Sequence, residues 1–559
     1  MAERASHPRW LYGPFSDLTL GCGLGYGLLF AGFLVAGTRY PSVLPLVPLI
    51  SLFTGTPHYG ATLLRVYEQR HERRAYAFFG VWMTLVVWAV FYLGLYHATV
   101  GSLLLTLYLS WSPWHYSGQN YGIALMFLRR RGIEVTPRAK RALYLSFFLS
   151  FLLALLAMHG ASSGADYGPV PPYRDGAFHL VRLRLPEPVW EAVFFGLGAG
   201  YLLAVGTAAA SLLRRARPLD LLPSATLVAT QALWFALPPL VRHGGWLGDE
   251  LSEGAAYAFF WVATGHTVQY VWITTYYAVG RGSYARRAGY FARALFAGSF
   301  IWAVPALLYT WSVEGTRFGG VALGPDVGVL VAAAVNLHHF ILDGAIWKLR
   351  DGRVARILIQ RPPETPAPIE PQGRGWLAAG LLGAGSLATL AVLAAIGERE
   401  LRLDPALARG DLARVHDSLE RLAWIGQVGA EDYRRAGQAA ARMQSDQEAR
   451  HYFQRSLAAH PNPRTWLALG HFESARGREE AARSAFEAAL ALDPSDVDAL
   501  FLLGSSWLQA GDPARALEFL ERAEALVPDD PRLAASIGRA RRRAGVEPAE
   551  PRPAAAERL

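Results

Sequence analysis

Four long apolar segments each carry a histidine well away from their ends, and one of them adds a carboxylate. The richest is the stretch 336–348, read as NLHHFILDGAIWK. On a helix, positions three and four apart share a face, so Asn336, His339, Asp343 and Trp347 form one stripe. His338 points about 100° away from it, at ~3.6 residues per turn. A second segment reads Gly55-Thr56-Pro57-His58-Tyr59-Gly60, with Thr54, His58, Thr62 and Arg65 on one side. A third contains SPWHYSGQN, placing Tyr108, Ser112, His115 and Gln119 on a face, and a fourth sets His266 beside Gln269. Ionisable groups inside a membrane helix are costly, so they face a bundle interior and mark function.

Neutral imidazole is the commonest biological metal ligand. Imidazole combined with carboxylate suits iron, and an open coordination position suits oxygen chemistry. The candidate ligands are therefore His58, His115, His266, His338 and His339. Asp343 is either a further ligand or the group that orients His339. Gln119, Gln269, Asn120 and Asn336 are candidate partners that fix ring tautomers, the role that groups around a metal site commonly play. The plain alternative is that each histidine is a helix–helix hydrogen-bond partner worth only ~1 kcal/mol. Depth argues for a shared site. His58, His115, His266 and His339 precede the next Arg or Lys by 7, 14, 15 and 9 residues. At ~1.5 Å per residue all four fall between mid-bilayer and the cytoplasmic third. A proton or ion pathway is the competing use of such a layer. His97, His159 and His243 sit at helix ends, where wetting explains them, and His71 and His179 lie in loops.

The elements that must position these groups are apolar runs near the ~20 residues a bilayer requires. Eleven are expected: 15–37, 42–64, 76–97, 102–128, 143–159, 189–213, 221–241, 255–279, 290–311, 321–347 and 376–396. The intervening segments 65–74, 129–141, 214–217, 281–287 and 348–374 are rich in Arg, whereas the alternate loops are poorer in cations or carry acids. The positive-inside rule then puts the N-terminus and the Arg-rich loops in the cytoplasm. In a bacterial inner membrane, everything after Ile396 lies on the periplasmic side. The proline-bearing loop 160–188 reads as a connector, with a lid over an outer cavity as the alternative.

Composition agrees. The 559 residues are 52% hydrophobic and only 18% charged, with a mean hydropathy of +0.18, against ~25% charged in soluble domains. Cys22 is the one cysteine, which excludes an internal disulfide framework and a thiolate zinc site. The net charge of +9 is accounted for by the inter-helix arginines, so nucleic acid is not an expected partner.

From Glu398 the chain turns to Ala, Arg, Glu and Leu with helical periodicity. Trp466, Leu469, Gly470, Ala482, Phe486, Ala489, Leu492 and Pro494 recur 34 residues later as Leu500, Leu503, Gly504, Ala516, Leu520, Ala523, Leu526 and Pro528. This pattern resembles the tetratricopeptide repeat. A degenerate copy precedes it through Tyr433, Gly437, Phe453, Leu457 and Pro461, and residues 411–426 hold part of another. The resemblance implies an α-solenoid that binds a protein or peptide on its concave face. Three domains follow: a multi-pass membrane part over 1–397, repeats over 398–545 and a disordered tail over 546–559.

The element Gly55–Gly60 resembles the Gly-x-Pro-His-Gly element of the bacterial membrane β-carotene dioxygenases, the bacteriorhodopsin-related protein family, with Tyr59 standing as an extra residue. That resemblance implies a multi-helix membrane enzyme holding iron with scattered histidines, and does not imply carotene as substrate. The paired histidine boxes of membrane fatty-acid desaturases are absent. Trp111, Trp114, Tyr116, Tyr121, Tyr270, Trp272, Tyr276 and Tyr277 flank the histidines. They suggest an aromatic cavity for a lipid or isoprenoid, with helix packing as the alternative. The expectation is thus an all-α polytopic bundle followed by a repeat solenoid, acting as an iron-type oxidoreductase on an apolar substrate. The competing readings are a transporter or proton-coupled channel, supported by helix breaks at Pro57 and Pro113, and a membrane-anchored repeat scaffold.

Overall fold

The computed structural model describes residues 9–29, 46–68, 76–160, 178–243, 258–311, 325–347, 352–359, 376–527 and 530–545. Among these there is no β-strand, and two compact units divide near Leu393. Residues 30–45, 69–75, 161–177, 244–257, 312–324, 348–351 and 360–375, and those after Gly545, lie outside the described residues, and with them parts of the expected runs 15–37 and 42–64.

In the first unit the helices used below are α1 (Thr56–Tyr67), α2 (Thr84–Tyr96), α3 (Ala98–Arg130), α4 (Pro137–His159), α5 (Glu187–Leu213), α6 (Pro218–Gln231), α7 (Ala258–Gly280), α8 (Arg287–Trp311), α9 (Pro325–Ile346) and α10 (Trp376–Glu398). Six stretches are long and apolar enough to cross a membrane: Phe78–Tyr96, Pro137–His159, Glu187–Leu213, Pro218–Leu240, Gly328–Ile346 and Ala379–Arg409. The count is taken over the described residues, which leave out part of the first expected run, and α1, α3 and α7 carry polar site residues that depress their hydropathy. Enclosure sorts the six. Of the Gly328–Ile346 window 78% is buried, against 28% for Glu187–Leu213, so α9 is central and α5 presents Leu202 and Leu203 outward.

The first expected span differs. Within residues 14–29 the chain forms short helical pieces interrupted at Cys22 and Gly23. Gly23 takes φ +84°, and a side chain there would run into Thr230. Left-handed backbone at a crowded contact requires glycine. The buried Asp17 carboxylate accepts from the Leu11 N–H at 2.6 Å, the Tyr12 N–H at 3.2 Å and the Trp272 Nε1–H at 3.2 Å.

The prolines do not break their helices. Pro113 lies inside an unbroken α3. Pro57 sits in the first turn of α1, directly after a wide π-helical turn over Ser51–Gly55. With no N–H at Pro57 the Phe53 carbonyl loses its usual partner, and the preceding turn loosens. Pro57 and Pro113 thus lend no support to the discontinuous helices expected of a transporter.

In the second unit three helix pairs follow in order: Ala430–Arg442 with Asp446–Ala459, Pro463–Ala475 with Glu479–Leu492, and Val497–Gln509 with Pro513–Leu526. A last helix, Pro531–Arg543, follows. A Cβ at Gly437 would enter the Phe453 ring, one at Gly470 the Phe486 ring, and one at Gly504 the Leu520 side chain. The glycine thus performs the same packing task in each repeat. Asn462, Asp496 and Asp512 cap the helices that follow them, accepting backbone N–H bonds of 2.8, 2.9 and 3.0 Å, each worth about 1 kcal/mol.

Candidate metal centre

His58 is carried by α1, and α1 is placed by its crossing with α8. A methyl group built on Gly60 would overlap the Ala294 carbonyl oxygen, and one on Gly298 would overlap the Thr56 carbonyl oxygen. Thr56/Gly60 and Ala294/Gly298 are each four apart, the small-xxx-small arrangement that lets membrane helices approach closely. His115 comes from mid-α3, His266 from mid-α7 and His339 from the enclosed α9.

These four histidines converge. One ring nitrogen from each lies within 4.8 Å of all the others. Ring centroids are 4.1 Å apart for His58–His339, 5.0 Å for His339–His115, 4.9 Å for His115–His266 and 4.8 Å for His266–His58. The rings therefore form a closed quadrilateral. His58, His266 and His339 are at most 2% exposed, and the His115 side chain is 8% exposed.

Aromatic side chains set the ring orientations. His58 stacks on Tyr270 at 4.5 Å, His115 on Phe340 at 4.3 Å and His266 on Tyr116 at 4.1 Å. Polar contacts are few and fall mostly on His339. Its Nδ1 is 3.0 Å from Thr62 Oγ1, which is 2.6 Å from the Tyr270 hydroxyl. Tyr270 donates to Asp343 Oδ1 and accepts from the Trp347 Nε1–H at 3.0 Å. With its one hydrogen committed to Asp343, Tyr270 receives the Thr62 hydroxyl, and Thr62 then accepts from His339 Nδ1–H. This order leaves His339 Nε2 bare. It faces His58 Nε2 at 2.5 Å.

Asp343 orients the chain of bonds that ends on His339, and its Oδ2 lies 3.9 Å from His115 Nε2. His338 is set apart from the four. Its Nε2 meets Thr84 Oγ1 at 2.8 Å on the other side of α9, because adjacent helical residues point about 100° apart. The amides expected to hold rings do otherwise. Gln119 donates to the His266 backbone carbonyl at 3.2 Å and to Gln269 Oε1 at 2.5 Å, and Gln269 donates to the Gly21 carbonyl at 2.8 Å. Asn120 donates to Gln231 Oε1 at 2.9 Å. Asn336 accepts from the Tyr59 hydroxyl at 2.8 Å and donates to the Ala332 carbonyl at 2.8 Å. They tie helices together around the site. The groups that touch the rings are Thr62 and Tyr270, and their signal was in the sequence: each lies one turn, four residues, after a site histidine.

His58 Nδ1, His115 Nε2 and both nitrogens of His266 are buried without a hydrogen-bond partner. Each such group costs about 1–3 kcal/mol, and buried polar groups are ordinarily satisfied. An imidazole donor set with one nearby carboxylate fits a first-row transition metal and not the oxygen-seeking Mg²⁺ or Ca²⁺.

Residues 473–531 match the tetratricopeptide repeat family. That match covers part of the second unit, and no curated protein matches the chain. The repeat family implies a protein partner, and the apolar helices of the first unit are compatible with a membrane protein. The resemblance to the membrane β-carotene dioxygenases rests on the Gly55–Gly60 element alone.

Of the flanking aromatics, Tyr116 and Tyr270 stack on the histidines. Trp114 packs on Phe148 and Phe151, Tyr121 on Tyr144 and Phe147, and Trp272 on Phe127. These last three serve helix packing. A narrow apolar crevice, with room for no more than about one water, borders His338 and His339 and is lined by Leu63, Ile301, Val335 and Leu342.

Proposed function

We propose that the chain is a polytopic membrane metalloprotein in which His58, His115, His266 and His339 hold a transition-metal ion, iron being the best fit, for oxidation of an apolar substrate. The observation that carries this is the meeting of four imidazoles from four helices with four of their buried nitrogens unpartnered. A redox-active metal bound there supplies the one-electron and oxygen chemistry that amino-acid side chains lack.

The chain's own groups have separate tasks. Thr62 fixes His339 as the Nδ1–H tautomer. Asp343 and Trp347 hold Tyr270, which in turn holds Thr62. Phe340, Tyr116 and Tyr270 cover the ring faces and exclude water. The side chains beside His339, Leu63, Ile301, Val335 and Leu342, are apolar. The Arg-rich loops favour a cytoplasmic N-terminus, with the repeats on the opposite face to recruit a protein on their concave side.

Metal analysis of the purified full-length protein tests the reading. One ion per chain is expected in the wild type and a large loss in His115→Ala. A folded wild type without stoichiometric metal ends it.

A further inference from the structure

The second unit opens with the closing turn of α10. From there the chain runs through a wide π-helical turn, Arg399–Leu403, into the short helix Asp404–Arg409. Gly410, at φ +69°, ends that helix, and Asp411 caps the next, Leu412–Trp424, by accepting the Arg414 N–H at 3.2 Å. The helix Leu412–Trp424 folds back along the one before it. Leu403 and Leu407 share a buried cluster with Val415, Leu419 and Leu422, and the cluster extends to Ala395. The Arg421 guanidinium lies 3.8 Å from the Glu398 carboxylate, so the return helix is antiparallel. Trp424 is three residues beyond Arg421, a rise of about 4.5 Å. It is therefore level with Ala395, beside the end of the apolar run 376–396.

Trp424 is 89% exposed, more than any other large apolar side chain among the described residues. Its position is fixed from behind. Ile425 packs against the same cluster. The Arg399 guanidinium bonds the Gln427 carbonyl and reaches the two Asp432 oxygens at 2.9 and 3.2 Å. Leu401 is 78% exposed and lies 11 residues after Leu390 and 14 after Leu387, both exposed on α10. At about 100° per residue these spacings return to one side of a helix. The outward apolar stripe of α10 thus continues past Ile396.

A scattered exposed apolar residue on a soluble surface needs no explanation. These two lie where an apolar run of bilayer length ends. The polar boundary of a bilayer begins where its hydrocarbon stops and is about 5–8 Å deep. Tryptophan is enriched there because its ring is apolar and its N–H polar. Leu401, about 7.5 Å beyond Ile396, and Trp424, level with Ala395, both fall in that layer.

We infer that Trp424 and Leu401 insert into the lipid head-group boundary of the leaflet in which α10 ends. With Arg399 clamping Asp432, they hold the first helices of the second unit against the lipid surface. The inference rests on the membrane reading of residues 376–396 and is independent of the metal.

Nitroxide labels on Leu387→Cys, Leu401→Cys, Asp417→Cys and Trp424→Cys, one at a time in full-length protein in phosphatidylcholine nanodiscs, test it. Cys22 is buried, so the introduced thiol takes the label. Spin relaxation is read with oxygen, which concentrates in lipid, and with a nickel chelate, which stays in water. Oxygen should dominate at 387, 401 and 424. Nickel should dominate at 417, an exposed position seven residues back along the return helix. Nickel dominating at 401 or 424, with oxygen at 387, overturns the inference and leaves the membrane reading standing. Nickel dominating at 387 overturns both. Low access of both agents at 424 marks a protein contact, such as a second copy of the chain, and also overturns the inference. Should Trp424→Cys fail to fold, the Trp424 emission decides, taken as the difference between wild type and Trp424→Phe. Lipids brominated in their acyl chains must quench it, and an unquenched difference overturns the proposal.

Discussion

His58 Nε2 and His339 Nε2 face each other at 2.5 Å inside the helix bundle, although 281 residues separate them in the chain. With Thr62 accepting the hydrogen bond of His339 Nδ1–H, the facing nitrogen of His339 presents a lone pair. Two ligands of one ion, each at ~2.0–2.1 Å, sit about 3 Å apart, so the pair as it stands suits a shared proton and would have to open slightly to hold the proposed metal.

The two histidines of the His338–His339 pair should therefore behave differently. His339→Ala is expected to lose stoichiometric metal, whereas His338→Ala, which removes a bond to Thr84, should keep it. Metal analysis of the two purified variants checks this, and equal loss in both would show that the quadrilateral is not the ligand set.

Thr62→Val keeps shape and removes the hydroxyl linking His339 to Tyr270. Losing a partner of this kind around a metal typically costs about 10–100-fold in affinity. Competition with a chelator of known affinity measures it, and Thr62→Ser should restore most of the loss. An unchanged affinity in Thr62→Val would remove the tautomer argument.

The α1–α8 crossing should tolerate no side chain at its centre. In Gly60→Ala the added methyl meets the backbone of Ala294, which cannot rotate away, so a loss of about 1–3 kcal/mol is expected. Gly118→Ala, with nothing within 4 Å of the new methyl, is the control. Reversible unfolding in mixed micelles compares them, and metal content should fall with Gly60→Ala because His58 lies on the displaced helix.

In the repeat unit the Asp446 carboxyl is held below its ordinary range, first by the hydrogen bond from Arg476 and then by that from Arg478. A depressed carboxylate contributes stability above its unfolded-state value, near 3.9, and that contribution disappears as pH falls through the lower folded value. Asp446→Asn should thus weaken the repeats at pH 7, and the difference from wild type should shrink below about pH 4. Hydrogen exchange across 446–478, corrected for intrinsic rates, reads the effect. A difference that grows in acid would contradict the assignment.

The helical class, the repeat and the four site histidines were all legible in the chain, for local reasons. Helical periodicity and run length are properties of contiguous residues. The 34-residue recurrence fixes which glycine faces which ring, as Gly470 and Phe486 show. The common depth of His58, His115, His266 and His339 follows from counting residues to the next arginine or lysine. The break at Gly23 was not legible, because it answers to Thr230, a residue 207 positions away.

Sequence alone determined which helices carry polar stripes and that His338 and His339 point different ways, since a helix sets the angle between neighbours. Only the tertiary structure decided what each stripe meets. The amides Gln119, Gln269, Asn120 and Asn336 went to other helices and backbone carbonyls, and the ring contacts passed to Thr62 and Tyr270. Partner choice between helices depends on crossing geometry, here set by Gly60 against Ala294 and Gly298, and no spacing within one segment encodes the distance to another.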